Sequence, residues 1–325
     1  MTTFAGTLGV YGYTNATGTA ASFSAPMGIA VDSSGNIYVA DYTDDLIRKI
    51  TTGGQVTTFA GQAGVQGSVD GIGTAAVFYE PTGVAVDSSG YVYVADWLNS
   101  TIRKITPGGA VTTLAGQAFP APLGAANGTG TAASFSRPYG VAVDNNGNVY
   151  VADTGNGLIR EITPGGVVST YAGGGPCCDV NGTGTAASFT MPFAITADTL
   201  GNVYVSDAAD NLIRKITPGG VVSTLAGTGQ RGSADGNGST ATFYQPEGIA
   251  VDTCGNVYVA DSTNNMIREI TPGGQVTTLA GTVSPGFANG RGTAALFDWP
   301  VGIGIGPTGV IYVGDTGNVL IRQIQ

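Results

Sequence analysis

Few side chains in this sequence could do chemistry, and most of those come in sixes. The 325 residues include no His, which removes the commonest general base and the commonest zinc ligand together. Aspartate recurs as Asp41, Asp96, Asp153, Asp207, Asp261 and Asp315, and arginine as Arg48, Arg103, Arg160, Arg214, Arg268 and Arg322. Sixfold repetition argues for architecture. The Asp is expected to cap its turn by accepting backbone N–H bonds, and the Arg to pair with a carboxylate between neighbouring units. The chemical alternative is an acidic ring holding a cation such as Ca²⁺. Glu247 differs, because it occupies a repeat position filled elsewhere by Met27, Thr82, Tyr139, Phe193 and Val301. Cys177 and Cys178 read as two free thiols in a loop with no His to activate them. No residue is assigned a catalytic role.

What positions these groups is a repeat of fixed period. A proline opens each unit at 26, 81, 138, 192, 246 and 300, in steps of 55, 57, 54, 54 and 54 residues. In the first unit Gly28–Val31 and Ile37–Ala40 are β-branched, apolar stretches around the turn Asp32–Asn36, where Gly35 is free to take positive φ. Leu46–Ile50 and Val56–Ala60 supply a third and a fourth strand, and a Gly-rich connection leads to the next unit. Within that connection Thr74-Ala75-Ala76-Val77-Phe78 predicts one helical turn whose Phe plugs onto the sheet. It recurs before every proline, ending in Phe23, Phe135, Phe189, Phe243 and Phe297. Four antiparallel strands per unit and six units make an all-β, six-bladed β-propeller in a single domain spanning 1–325. The last unit stops after its third strand, Leu320–Ile324. Met1–Gly6 matches Val56–Gly61, so the N-terminal strand is expected to complete the last blade and close the ring.

Composition narrows the function. The net charge of −10 repels polyanions, and Arg137, Arg231 and Arg291 are too dispersed for a phosphate track. No nucleic-acid partner is expected, and no apolar run is long enough for membrane insertion. The motifs Pro-x-Gly-[Ile/Val]-Ala-Val-Asp, Gly-Asn-[Ile/Val]-Tyr-Val-Ala-Asp and Ile-Arg-[Lys/Glu]-Ile resemble the NHL-repeat propellers over essentially the whole chain. Unit four departs with Ala194 and Ala197, and unit six with Gly306. The resemblance implies lyases, protein- or RNA-binding modules, or sensor domains of bacterial receptors. Lyases of that family use a His-bound metal or a catalytic His, which this chain has none to match. Related six-bladed lactonases and esterases use a central Ca²⁺ with Glu, Asn and Asp ligands, of which Glu247 could be one.

The blades differ mainly on one face, where turns between second and third strands meet the inter-blade connections. Tyr42 and Trp97 are large aromatics at matching turn tips of adjacent blades, with Leu98 beside them. Phe119 and Leu123 lie in the longest connection, and Tyr139, Phe193 and Glu247 stand nearer the channel. This quadrant is expected to hold the apolar area of the face and to bind a protein, peptide or glycan; packing of Phe119 and Leu123 onto Trp97 is the alternative. The expectation is a monomeric, extracellular or periplasmic, non-enzymatic module of a larger bacterial protein, without a cofactor. The alternative is a Ca²⁺-centred hydrolase or lyase.

Overall fold

The computed structural model describes residues 1–118, 120–175 and 179–325. Six antiparallel sheets stand as blades around a central channel. Blade 1 consists of Pro26–Val31, Ile37–Asp41, Leu46–Ile50 and Val56–Ala60, ordered from the channel outward. Blades 2 to 5 repeat this plan from Pro81, Val141, Pro192 and Pro246. In blade 6, Thr2–Ala5 takes the outermost place and pairs with Leu320–Ile324, Thr3 lying opposite Arg322. The N-terminal ammonium donates to the Gly290 carbonyl at 2.7 Å.

Blades 1, 5 and 6 have the four strands read from the sequence. Blades 2, 3 and 4 have a fifth, because Gly71–Ile72, Gly128–Thr129 and Gly182–Thr183 of the incoming connection lie along the outer strand. Five of the six helical turns are 3-10 turns, such as Gly73–Ala75, and the one before Phe243 is a turn in which the Thr240 and Ala241 N–H groups donate to the Asn237 carbonyl. The Phe that follows each is buried and belongs to an apolar cluster between two neighbouring blades. Phe78, for instance, lies with Ala40 and Ile47 of blade 1 and Val92 and Val94 of blade 2. Burying such a ring contributes about 2–3 kcal/mol. Near the channel the inner strands come so close that a Cβ on Gly28 would run into the Thr82 carbonyl, and one on Gly248 into that of Val301.

The repeated charges are fully buried. Each Arg pairs with the Asp of its own blade, at 2.6 to 3.7 Å. This corrects the expected pairing between units: second and third strands are antiparallel neighbours, and Val39 lies opposite Arg48, two residues from Asp41. A β-bulge follows, with Ala60 opposite Ile47 and Thr58 opposite Arg48. What crosses to the incoming connection is the rest of the guanidinium, which donates to Ser22, Tyr13 and Thr14 carbonyls and to Asn15 Oδ1 and lies over the Phe23 ring. Asp41 in turn accepts the N–H groups of Ser24 and Ala25 at 2.9 Å. The six Asp are thus structural ties inside the blades and do not form an open acidic ring.

Blades three apart share details that the others lack. Asp44 and Asp210 occupy equivalent places in blades 1 and 4, where the other blades have Asn99, Asn156, Asn264 and Asn318 donating to the buried Asp. Asp70 and Asp235 add a second carboxylate to the Arg of blades 2 and 5. Thr154-Gly155-Asn156 of blade 3 returns as Thr316-Gly317-Asn318 of blade 6. The ring is two similar halves.

Candidate functional site

Every blade junction on the variable face is tied by a hydroxyl, and one tie differs from the rest. Thr154, Ser262 and Thr316, each directly after the buried Asp, donate to the Pro192, Pro300 and Pro26 carbonyls of the next blade at 2.6 to 2.8 Å. Where blade 2 has Trp97 and blade 4 has Ala208 at that position, Thr82 and Ser206 donate to the Tyr139 and Glu247 carbonyls instead. At the junction of blades 1 and 2 the hydroxyl is the phenol of Tyr42, which donates to Glu80 Oε2 at 2.7 Å. Burial and this bond push the Tyr42 phenol well above its ordinary range. Asp45, nine-tenths buried or more, accepts the Glu80 N–H at 2.7 Å. Burial, with Glu80 and Asp44 nearby, raises its carboxyl to about 6.

Tyr42 and Trp97 meet, their ring centroids 6.1 Å apart. Arg137 lays its guanidinium over Trp97, 5.6 Å from the ring centre. Leu98 is half-buried and Leu123 is exposed. Phe119, Cys177 and Cys178 lie outside the described residues. Tyr139 and Phe193 stack with centroids 3.7 Å apart, and the Tyr139 phenol crosses the channel mouth to the thioether of Met27, 2.9 Å away. Glu247 is only 8% exposed and faces a central cavity of about 210 Å³ lined by the inner strands of all six blades. Its one hydrogen-bond donor among the described residues is the Trp299 indole Nε1, at 3.3 Å. Burial raises its carboxyl to about 7.

The sequence reading missed Trp299. It precedes a repeated proline, as do Glu80, Arg137 and Gln245, and all four adopt left-handed backbone, with φ of 48 to 53°. A non-Gly residue there costs on the order of 1–2 kcal/mol. The preceding blade enforces it: the N–H groups of Glu80, Arg137, Gln245 and Trp299 donate to the side chains of Asp45, Ser100, Asn211 and Asn265. Where that tip residue is Gly157 or Val319, the next pre-proline residue, Met191 or Ala25, donates to its own blade's Asp and keeps negative φ. The rule was present in the sequence as a polar tip residue followed by a bulky pre-proline one. With Val283 and Phe287 also exposed, apolar area is not confined to the Tyr42–Trp97 quadrant; blade 6 has its own. Asn99 is buried, and Asn127 and Asn181 accept from Arg160 and Arg214, so these side chains serve the fold.

A Ca²⁺ ion takes six to eight oxygen ligands. Glu247 is the single carboxylate among the residues lining the cavity, and the described residues include no group of three or more acidic or thiol side chains able to hold a metal. The donor set does not fit the ion. No helix among the described residues is long and apolar enough to cross a membrane.

A closed ring of six four- or five-stranded blades with a variable rim defines a six-bladed β-propeller. The NHL repeat family matches at residues 78–105, 135–162 and 243–268, and the chain belongs to the NHL-repeat propellers. It is 30% identical to the protein Suppressor of quenching 1 of Arabidopsis thaliana, over 82% of this chain and 27% of that protein. It is 28% identical to NHL repeat-containing protein 2 of Homo sapiens, over 80% of this chain and 40% of that one. The chain therefore spans less than half the length of these relatives. Among solved structures, a Bacteroides thetaiotaomicron protein of unknown function superposes with a TM-score of 0.76 at 23% identity, covering 99% of this chain and 74% of that one. An auxiliary nutrient binding protein of the same species gives 0.73 at 16%, covering 100% and 75%. A streptogramin B lyase gives 0.59 at 16%, covering 93% of each. At these identities the structural likeness is one of fold.

Proposed function

We propose that this propeller is a non-enzymatic, monomeric binding module that takes a peptide, protein or glycan on its variable face, through the sector around Tyr42, Trp97, Leu98 and Leu123. One observation carries the reading. At the turn tips where other blades place a small hydroxyl or Ala, blades 1 and 2 place two aromatic rings that meet beside Glu80 and Arg137. Rigid aromatics bury much area at little cost in rotamer entropy, and flanking charges give a ligand its register. The acidic, Lys-poor composition and the fold shared with nutrient binding proteins support placement outside the cytoplasm, within a larger protein. Screening the protein on peptide and glycan arrays, then repeating the screen with Trp97→Ala, tests this. Signals that vanish in the variant support the sector; signals it retains place the site elsewhere.

A second reading, hydrolase or lyase action at the channel mouth, is favoured by a single feature, the Glu247 carboxyl held near neutrality in a cavity. The donor set around it does not suit a metal. Turnover of ester or lactone panels that disappears in Glu247→Gln would replace the binding reading with this one.

A further inference from the structure

When ionised, Glu247 has no compensating charge beside it. Its carboxylate can accept about four hydrogen bonds and has one, long, from Trp299. Apart from Tyr139, the remaining cavity-lining residues are apolar or small and include no Lys or Arg. Arg137, the cation on the neighbouring rim, is occupied over Trp97. An isolated carboxylate in such a setting is costly and invites a counter-ion from outside. The groups around it suit an organic cation. Tyr139 lies close enough that Glu247 helps raise its phenol. The Tyr139 O–H is spent on a thioether, a weak acceptor, which leaves the phenol oxygen free to accept. Aromatic faces attract cations, and the stacked pair Tyr139 and Phe193 stands at the mouth, while Trp299 turns its N–H edge to Glu247.

We propose that the channel mouth is a receptor for a primary alkylammonium group. Glu247 takes the charge, the Tyr139 oxygen accepts a second N–H, and the alkyl chain follows the apolar inner strands past Ile249 and Ile303 into the cavity. A primary ammonium has three donors for the acceptors present; a neutral alcohol of the same length would leave Glu247 without a counter-charge. The group can come from a free amine or from a lysine side chain. The proposal does not rest on the Tyr42–Trp97 sector, since no residue of that pair is needed.

The test is a titration of the whole protein with n-butylammonium, read from the Trp299 indole N–H resonance, which Trp299→Phe assigns among the chain's two Trp residues. The expected result is a saturable shift, no such shift with n-butanol, and at least a tenfold weaker affinity in Glu247→Gln. The unaltered protein gives an independent readout. Butylammonium keeps its proton, so affinity should fall roughly tenfold between pH 8.5 and pH 6 as Glu247 protonates. N-acetyl-lysine methylamide separates the sources: equal affinity shows that the mouth accepts a presented lysine, and binding by butylammonium alone shows that it takes a free amine. The proposal is overturned if n-butanol binds equally well, if Glu247→Gln binds as the parent does, or if the shift is absent or independent of pH.

Discussion

Blades 1 to 3 and blades 4 to 6 are built to the same internal plan and present different chemistry at the rim. Inside, Asp41 with Asp44 answers to Asp207 with Asp210, and the two-carboxylate clasp on Arg103 answers to that on Arg268. At the rim, Tyr42, Asp45, Glu80 and Trp97 of the first half face Ala208, Asn211, Gln245 and Ser262 of the second. Arg137 of the first half answers to Trp299 of the second. The Asp–Arg ties inside the blades are the same in both halves, and the side chains presented at the rim are not. Function is to be sought where matched positions part company, which singles out the Tyr42–Trp97 rim in one half and the Trp299–Glu247 mouth in the other.

The largest effect should come from the junction that the two halves do not share covalently. Blade 3 continues into blade 4, but blade 6 meets blade 1 through Thr2–Ala5. Deleting Met1–Gly6 exposes a sheet edge and should lower the melting temperature by more than about 10 °C, with association visible by light scattering. Melting within a degree or two of the parent, as a monomer, would refute closure by that strand.

Next come the matched cores. Arg160→Met and Arg322→Met each leave a buried Asp without its partner, a loss typically of about 3–5 kcal/mol. The two variants should give the same loss in denaturant titration. A loss under roughly 1 kcal/mol in either would mean that its pair is solvated, and a large inequality would break the equivalence of the halves.

The mouth should show its own pH signature. Burial holds Glu247 at about 7 against an ordinary 4.5, so the folded chain retains a proton that the unfolded chain releases in between. The stability this contributes is complete below 4.5 and is lost as the pH rises through 7. Glu247→Gln removes that loss. It should match the parent at pH 4 and be more stable at pH 8 by on the order of 3 kcal/mol. Curves that run parallel across the range would place the carboxyl in solvent.

The smallest effect sharpens the rim comparison. Trp97→Ala, at a half-buried position, should cost under about 1.5 kcal/mol while abolishing binding. Ser262→Ala, its counterpart, leaves the Pro300 carbonyl unpaired and should cost about 1–2 kcal/mol with binding intact. A Trp97 variant that loses several kcal/mol would make the aromatic pair a packing element.

The blade plan and its closure were legible because periodicity is carried by residues that the architecture itself demands: Gly28 and its counterparts where the inner strands nearly touch, the Phe plugs between blades, and a first strand that copies Val56–Gly61. The destination of the Arg was misread because register, not repetition, decides it; only strand pairing shows that Asp41 and Arg48 fall on one blade. Trp299 was missed for a related reason. The residue before a proline ordinarily favours extended backbone, and what overrides this is the hydrogen bond that the Trp299 N–H donates to Asn265 Oδ1, 34 residues earlier in the chain. The fifth strands were missed because Gly71–Ile72 has no strand composition and pairs only where the connection happens to run.

The closing strand sets an order of events. Thr3 finds its partner Arg322 only when nearly the whole chain exists. At a synthesis rate of roughly 5–20 residues per second, the wait is on the order of 15–60 s. During that interval the first blades can assemble on local hairpins, while a short strand of Thr, Phe and Ala waits unpaired. Its brevity, four residues, keeps it a poor template for strangers, and the ring that it finally completes has no remaining end from which to unravel.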